Sequence, residues 1–401
     1  MCVAKATETI ANLTPLRGIA ALLVVIFHYQ IFIRPIFPAP VAAVIDKFYL
    51  CVDLFFVLSG FVIAHVYAAK FANGLEGGTL GRFFRARFAR IYPLHFVTLL
   101  YLVILASIGF SAGLDPTRFP GIFFDFRQIP LQLFLLQATW LTDEPFWNSP
   151  SWSISTEWWA YVCFPLLAFA LARNGRLFSL AALGLIALGY FWIVTYWQPE
   201  FWAARWARIG LDPDIVPYEK GTIDIIAQWA PVRCLCGFVL GMVAWKVWLS
   251  GRMGKALRSG WIVAALVLIL IAGWAAKLLT DPFAVVLFTI MILALAHNQD
   301  WLSRLLNLRP VVHLGDISYS IYLVHMPILY TWMVHRDVTL VNDPLKGPGP
   351  GYDLPLGDAW IGFIGFVLLT LFLASLSYRF VECPARDALR AQRPTQKIQS
   401  A

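Results

Sequence analysis

Arg17 and His28 are the residues best placed to do chemistry, in the run Leu16-Arg-Gly-Ile-Ala-Ala-Leu-Leu-Val-Val-Ile-Phe-His28. On a helix, eleven steps of about 100° come to about 1100°, roughly 20° past three full turns, so the two side chains share a face. At about 1.5 Å per residue they stand roughly 16 Å apart along the axis, about half the hydrocarbon thickness of a bilayer. A guanidinium near one membrane surface can extend to the head groups. An imidazole that much deeper cannot, and ionisable groups at such depth are costly and usually kept for function. The chemistry that histidine offers there is proton transfer as a general base.

Three further sets of residues have suggestive spacing. In Ser151-Trp-Ser-Ile-Ser-Thr-Glu157-Trp-Trp-Ala-Tyr161, Ser153, Glu157 and Tyr161 fall at i, i+4 and i+8 on one helical face. The run Arg82-Phe-Phe-Arg85-Ala-Arg87-Phe-Ala-Arg90 is a cationic amphipathic segment. It suits either anionic lipid head groups or a phosphorylated cofactor, whose oxygens arginine forks match. Ser318, Tyr322 and His325 make a polar stripe at i, i+4 and i+7, which serves interhelical hydrogen bonding as readily as substrate binding. Pro327 is expected to disturb the helix just beyond it.

The elements that must position these residues are membrane helices. Of 401 residues, 60% are hydrophobic and only 13% charged, and the mean hydropathy is +0.70. The chain reads as an all-α polytopic membrane protein with about ten spans, near 14–34, 48–69, 91–111, 151–172, 178–198, 228–249, 261–279, 282–298, 314–335 and 358–380. The first span lacks a small-residue cleavage pattern and is followed by nine more, unlike a signal peptide. With a cytoplasmic N-terminus, the inner segments hold 20 of the 31 basic residues and the outer ones 10. That is the positive-inside bias, and it predicts both termini in the cytoplasm. The net charge of +8 follows from that topology and from an anionic ligand, and nucleic acid is not an expected partner. The six cysteines lack metal-site spacing and read as packing residues; no metal is expected.

This topology places His28, Asp53, Glu157 and Arg233, from four helices, at one depth in the outer half of the bilayer. A shared polar chamber is expected. A carboxylate beside the imidazole would orient it and raise its basicity. Asp53 or Glu157 could equally pair with Arg233 for structure, and the sequence leaves open which carboxylate meets which base.

Six motifs in order then resemble the membrane acyltransferase-three family. They are Leu16-Arg17-Gly18 with Phe27-His28, Asp53-Leu-Phe-Phe-Val-Leu-Ser59-Gly60-Phe61, Arg87-Phe-Ala-Arg90-Ile-Tyr-Pro93, Ser151-Trp-Ser-Ile-Ser-Thr-Glu157, Gly315-Asp-Ile-Ser-Tyr-Ser-Ile-Tyr-Leu-Val-His325 and Glu382-Cys-Pro-Ala-Arg386. The likeness runs from Leu13 to Arg386, as a single transmembrane domain over 1–390 followed by a short basic cytoplasmic tail, 391–401. Thr14-Pro15 stands where the family commonly has Asp-Gly. No extracytoplasmic hydrolase-like domain of the kind fused to some relatives is expected, so the core and loops would select the acceptor.

The resemblance implies acyl transfer, usually acetyl, from cytoplasmic acyl-CoA to a hydroxyl of a carbohydrate, lipid-linked glycan or glycosylated small molecule, in the bacterial inner membrane. It gives Arg17 and His28 as an essential pair, links Arg87 and Arg90 to the CoA donor, and marks Glu157 and Arg233. The combined expectation assigns catalysis to His28, Glu157 and Asp53, and donor binding to Arg17, Arg82, Arg85, Arg87 and Arg90. Ser153, Tyr161, Arg233, Tyr322 and His325 are expected to contact substrate. Two rivals stand beside it. One is a proton-coupled transporter with His28, Asp53 and Glu157 as relay, against which no inverted repeat is visible. The other is a non-catalytic membrane subunit. The outer segments 112–150 and 199–227, rich in Phe and Trp, would hold the acceptor or anchor the membrane interface.

Overall fold

The computed structural model describes residues 10–33, 35–117, 121–200, 203, 221–341 and 354–391. The tail beyond Ala391 and most of the segment 199–227 lie outside the described residues. Ten helices carry the architecture: α1 Leu13–Phe32, α2 Cys51–Phe71, α3 Gly77–Ser111, α4 Ser151–Arg173, α5 Gly175–Trp192, α6 Ala230–Leu249, α7 Gly260–Ala275, α8 Asp281–His297, α9 Ser318–Val341 and α10 Leu356–Ser377. Each predicted span falls on one of them, and there is no strand among the described residues. Seven, α1 to α6 and α10, are long and apolar enough to cross a membrane. The helices α7 and α8 are apolar but have 16 and 17 residues, and α9 has 24 with a more polar sequence.

Apolar residues cover the outside as well as the core. On α10, Ile361, Ile364, Leu368 and Phe372 recur at helical spacing and stay 54–72% exposed. Such a stripe on a helix long and apolar enough to span a bilayer fits a lipid-facing surface. Around the centre, α1 packs on α2, α9 and the short helix Arg309–Asp316, while α6 packs on α2, α4 and α5.

Missing side chains set the closest approaches. A Cβ on Gly60 would lie 1.8 Å from the carbonyl oxygen of Phe238, and one on Gly241 would lie 2.0 Å from that of Val57. The α2–α6 crossing thus has backbone against backbone, as small residues permit in membranes. Gly315 lies against Thr14 in the same way, which brings the Gly315-Asp316 motif beside Arg17.

Two helices run further than the sequence suggests. The 35 residues of α3 continue through Pro93 and make a rod about 52 Å long, well beyond a bilayer core, so its arginine-bearing turns project at the basic end. Similarly, α9 continues through Pro327 to Val341, so the expected disturbance does not end the helix. Proline removes the N–H that would bond the carbonyl four residues back, that of Leu323. Asn148 supplies the missing donor, with Nδ2 3.0 Å from Leu323 O. The segment 112–150 therefore enters the bundle: Gln132, Gln137, Trp147 and Asn148 are buried. His95 of α3, which the sequence reading passed over, ties down the same segment through Gln132 O at 2.9 Å.

Candidate functional site

A cavity of about 370 Å³ opens where α1, α2, α3, α4 and α9 meet the short helix Cys383–Ala391. Its size falls in the usual range for small-molecule sites. Arg17, Arg87, Arg90 and Arg386 line it, against two carboxylates, Glu157 and Asp316. Ser153, Tyr161 and Tyr322 face it as well, so the expected face of α4 does converge on one space with Arg17 of α1 and Tyr322 of α9.

Helix geometry explains which arginines take part. Arg87 and Arg90 are about 60° apart on the α3 wheel, whereas Arg85 lies about 160° from Arg87. Arg85 is exposed, and Arg82 is exposed with Nη2 on Thr79 Oγ1 at 3.0 Å. These two, grouped with the donor-binding residues on sequence, do not line the cavity. Arg90 is held by Glu382 at 2.6 Å, whose other oxygen accepts from Ser320 Oγ at 2.5 Å. Arg87 donates to Tyr67 Oη at 3.3 Å and lies over the Tyr67 and Tyr161 rings, but its Nε is buried without a partner. Arg17 makes no hydrogen bond among the described residues. Guanidinium groups facing a cavity with donor capacity left over suit an anion with several oxygens.

Arg386 and Asp316 are cavity residues to which sequence reasoning gave no role. A π-helical turn, Tyr378–Glu382, re-aims the chain after α10, and the Arg386 guanidinium comes to lie over the Tyr378 ring at 5.2 Å. The available signal was the Glu382-Cys-Pro-Ala-Arg386 motif, but nothing local tells that it packs on α3 beside the cavity.

The four residues expected in one chamber separate into three groups. Asp53 accepts from Arg233 at both oxygens, 3.0 and 2.7 Å, and Arg233 Nη1 reaches Asp224 at 2.9 Å. Both Asp53 and Arg233 are fully buried and neither lines the cavity. Glu157 Oε1 accepts from Ser59 Oγ and Tyr161 Oη, each at 2.5 Å. His28 meets neither carboxylate: its Nδ1 lies 2.9 Å from Val24 O and 3.1 Å from His325 Nε2. A carboxylate on the imidazole, expected on sequence, is replaced by a second imidazole, because both acids are committed elsewhere. The histidine pair lies beyond Tyr322, whose ring centroid is 6.1 Å from that of His325. Tyr322 Oη contacts Ser153 Oγ at 2.8 Å. Another buried node, Lys47–Asp281 at 2.8 Å with Tyr49 Oη on Asp281 at 2.5 Å, was not anticipated.

Comparison with known proteins bears on what such a site does. The family profile described as "Acyltransferase domain" matches residues 10–379. Acyltransferase MdmB of Streptomyces mycarofaciens is 30% identical over 365 residues, 86% of this chain and 82% of that protein. Peptidoglycan O-acetyltransferase OatA of Listeria monocytogenes is 25% identical over 84% of this chain. O-acetyltransferase OatA of Staphylococcus aureus is 24% identical over 94% of it. The chain spans about half the length of these two, 51% and 57%. No solved structure matches the chain significantly. The chain is a multi-pass integral membrane protein of acyltransferase type and belongs to the acyltransferase-domain family.

Proposed function

We propose that this protein is an inner-membrane O-acyltransferase that moves an acyl group, acetyl in the simplest case, from cytoplasmic acyl-CoA to a hydroxyl of a carbohydrate or glycosylated acceptor. The observation that carries the reading is a four-arginine cavity, one of whose arginines, Arg17, stands on the helix α1 that bears His28 about 16 Å further along. The relatives named as O-acetyltransferases, one of them acting on peptidoglycan, support the acceptor class. The positive-inside bias puts the arginine end in the cytoplasm, where CoA is found.

In this mechanism Arg17, Arg87, Arg90 and Arg386 bind the phosphates of CoA, and its extended arm carries the thioester past Tyr322 towards the histidine pair. His28 Nε2 takes the proton of the acceptor hydroxyl as its oxygen attacks the thioester carbonyl. The C–S bond then breaks, and the thiolate recovers the proton from the imidazolium. The net products are an ester and free CoA. Glu157, fixed by Ser59 and Tyr161 at the cavity wall, balances the arginines. The donor arm and the acceptor meet at the level of His28.

The test uses inverted membrane vesicles from a deletion strain carrying the wild-type gene, supplied with radiolabelled acetyl-CoA. Label is expected in alkali-labile esters together with release of free thiol. No ester label, with proton-coupled uptake of a solute instead, would sink the enzyme reading in favour of a transporter. Full labelling by His28→Ala would remove His28 as the base.

A further inference from the structure

We propose that His325 is the positioning residue that fixes the tautomer of His28, an inference that rests on His28 being the base. His325 is wholly buried on α9. Its Nδ1 lies 3.2 Å from the carbonyl oxygen of Ile321, one turn back on its own helix. A carbonyl only accepts, so this nitrogen carries the proton, and a neutral imidazole has just one. His325 Nε2 is therefore a lone pair.

That lone pair faces His28 Nδ1 at 3.1 Å. The same Nδ1 lies 2.9 Å from Val24 O, a second group that can only accept. Both contacts require the proton on His28 Nδ1, shared between Val24 O and His325 Nε2. His28 Nε2 is then bare, and it is the ring atom free to take a hydroxyl proton. The opposite tautomer would leave the Nδ1 lone pair against the Val24 carbonyl. It would also set that lone pair against His325 Nε2 or, if His325 moved its proton to Nε2, leave His325 Nδ1 bare against Ile321 O. Each is a buried acceptor facing an acceptor, which costs free energy.

The ring plane is held too. Phe32 stacks on His28 at 5.8 Å with planes 3° apart, and Phe27 meets it edge-on at 5.1 Å. When Nε2 gains the proton, the imidazolium donates more strongly through Nδ1 to the waiting His325 lone pair. The contact that selects the base form thus also stabilises its charged product. A carboxylate usually does this for a catalytic histidine; here a neutral imidazole does so at full burial, without placing another charge in the membrane.

Two substitutions separate positioning from packing. His325→Gln places its amide oxygen where Nε2 stands, whereas the amide of His325→Asn reaches only the Nδ1 position. In the vesicle assay, with rates normalised to folded protein measured by size exclusion of a fluorescent fusion, His325→Gln is expected to keep kcat within about tenfold. His325→Asn should lose about 10²-fold, the scale for losing an orienting partner, with KM for acetyl-CoA unchanged in both. Equal kcat for the two variants, or a loss that appears in KM, would overturn the inference. An active His28→Ala would instead overturn the reading beneath it, so the two failures are distinct.

Discussion

Arg233 donates through Nε and Nη2 to the two carboxylate oxygens of Asp53, at 3.0 and 2.7 Å, and neither side chain has any solvent exposure. Bidentate pairing at that burial locks α2 to α6 beside the glycine crossing. It also ties Asp53 to Arg233, away from the cavity lining and from His28.

Arg233→Met strands Asp53 as an uncompensated buried charge, whereas Asp53→Leu leaves Arg233 its single ion pair with Asp224. Arg233→Met alone is expected to destabilise the protein by about 3–5 kcal/mol, Asp53→Leu by less, and the double replacement by less than the sum of the two. Thermal unfolding of the detergent-solubilised protein would measure each. A double variant as unstable as the sum of the singles would argue against pairing as the source of the loss.

Gly241→Ala should fail to assemble normally, because its methyl group would overlap Val57 O. Gly184 on α5 has nothing within 4 Å of the place a Cβ would take, so Gly184→Ala should be neutral or should stabilise by about 0.5–1 kcal/mol. Yield of monodisperse protein after size exclusion distinguishes them.

The arginines of α3 are expected to divide by direction. Arg87→Gln, and Arg17→Gln on α1, should each raise KM for acetyl-CoA by roughly 10- to 100-fold, the worth of a charge-assisted hydrogen bond at about 1.5–3 kcal/mol. Arg82→Gln and Arg85→Gln should leave it within about twofold, in keeping with the roughly 0–1 kcal/mol contributed by exposed charges. Equal effects at all four positions would favour a diffuse electrostatic surface over a cavity.

Asn148→Ala should cost about 1–3 kcal/mol by stranding the Leu323 carbonyl. In a Pro327→Ala background the restored N–H of residue 327 can bond that carbonyl within the helix. The cost of Asn148→Ala should then shrink, and a double-mutant cycle on unfolding temperature would read the coupling. Additive losses would mean that Asn148 acts through its other contact, Thr98.

The ten helices, the basic end and the α4 face of Ser153, Glu157 and Tyr161 were all legible in the amino-acid order. Each depends on local quantities: some twenty residues of apolarity, a count of arginines, a period of 3.6. The angular divergence of Arg85 from Arg87 was equally available from the helical wheel. The separation of His28 from Arg17 along one helix was set by their spacing alone.

Only the folded chain decided which charge meets which. Asp53 and Arg233 are separated by 180 residues, and His28 and His325 by 297. Asp53, Glu157 and His28 were expected at one depth, yet Glu157 meets Ser59, six residues along α2 from Asp53, and shares its cavity with Arg17 rather than with His28. Spacing along a helix also says nothing about azimuth. The rotation of each helix in the bundle is set by close approaches such as Gly60 on Phe238 and Gly315 on Thr14, and these turn Asp53 to Arg233, Glu157 to Ser59 and His28 to His325. Arg386 reaches the cavity because the helical run continues past α10 through the π segment Tyr378–Glu382 into Cys383–Ala391, which packs on α3. Sequence spacing fixes positions along a helix, whereas partners across helices depend on how those helices pack, and in a low-dielectric interior that packing decides whether a charge is a structural tie or a reactive group.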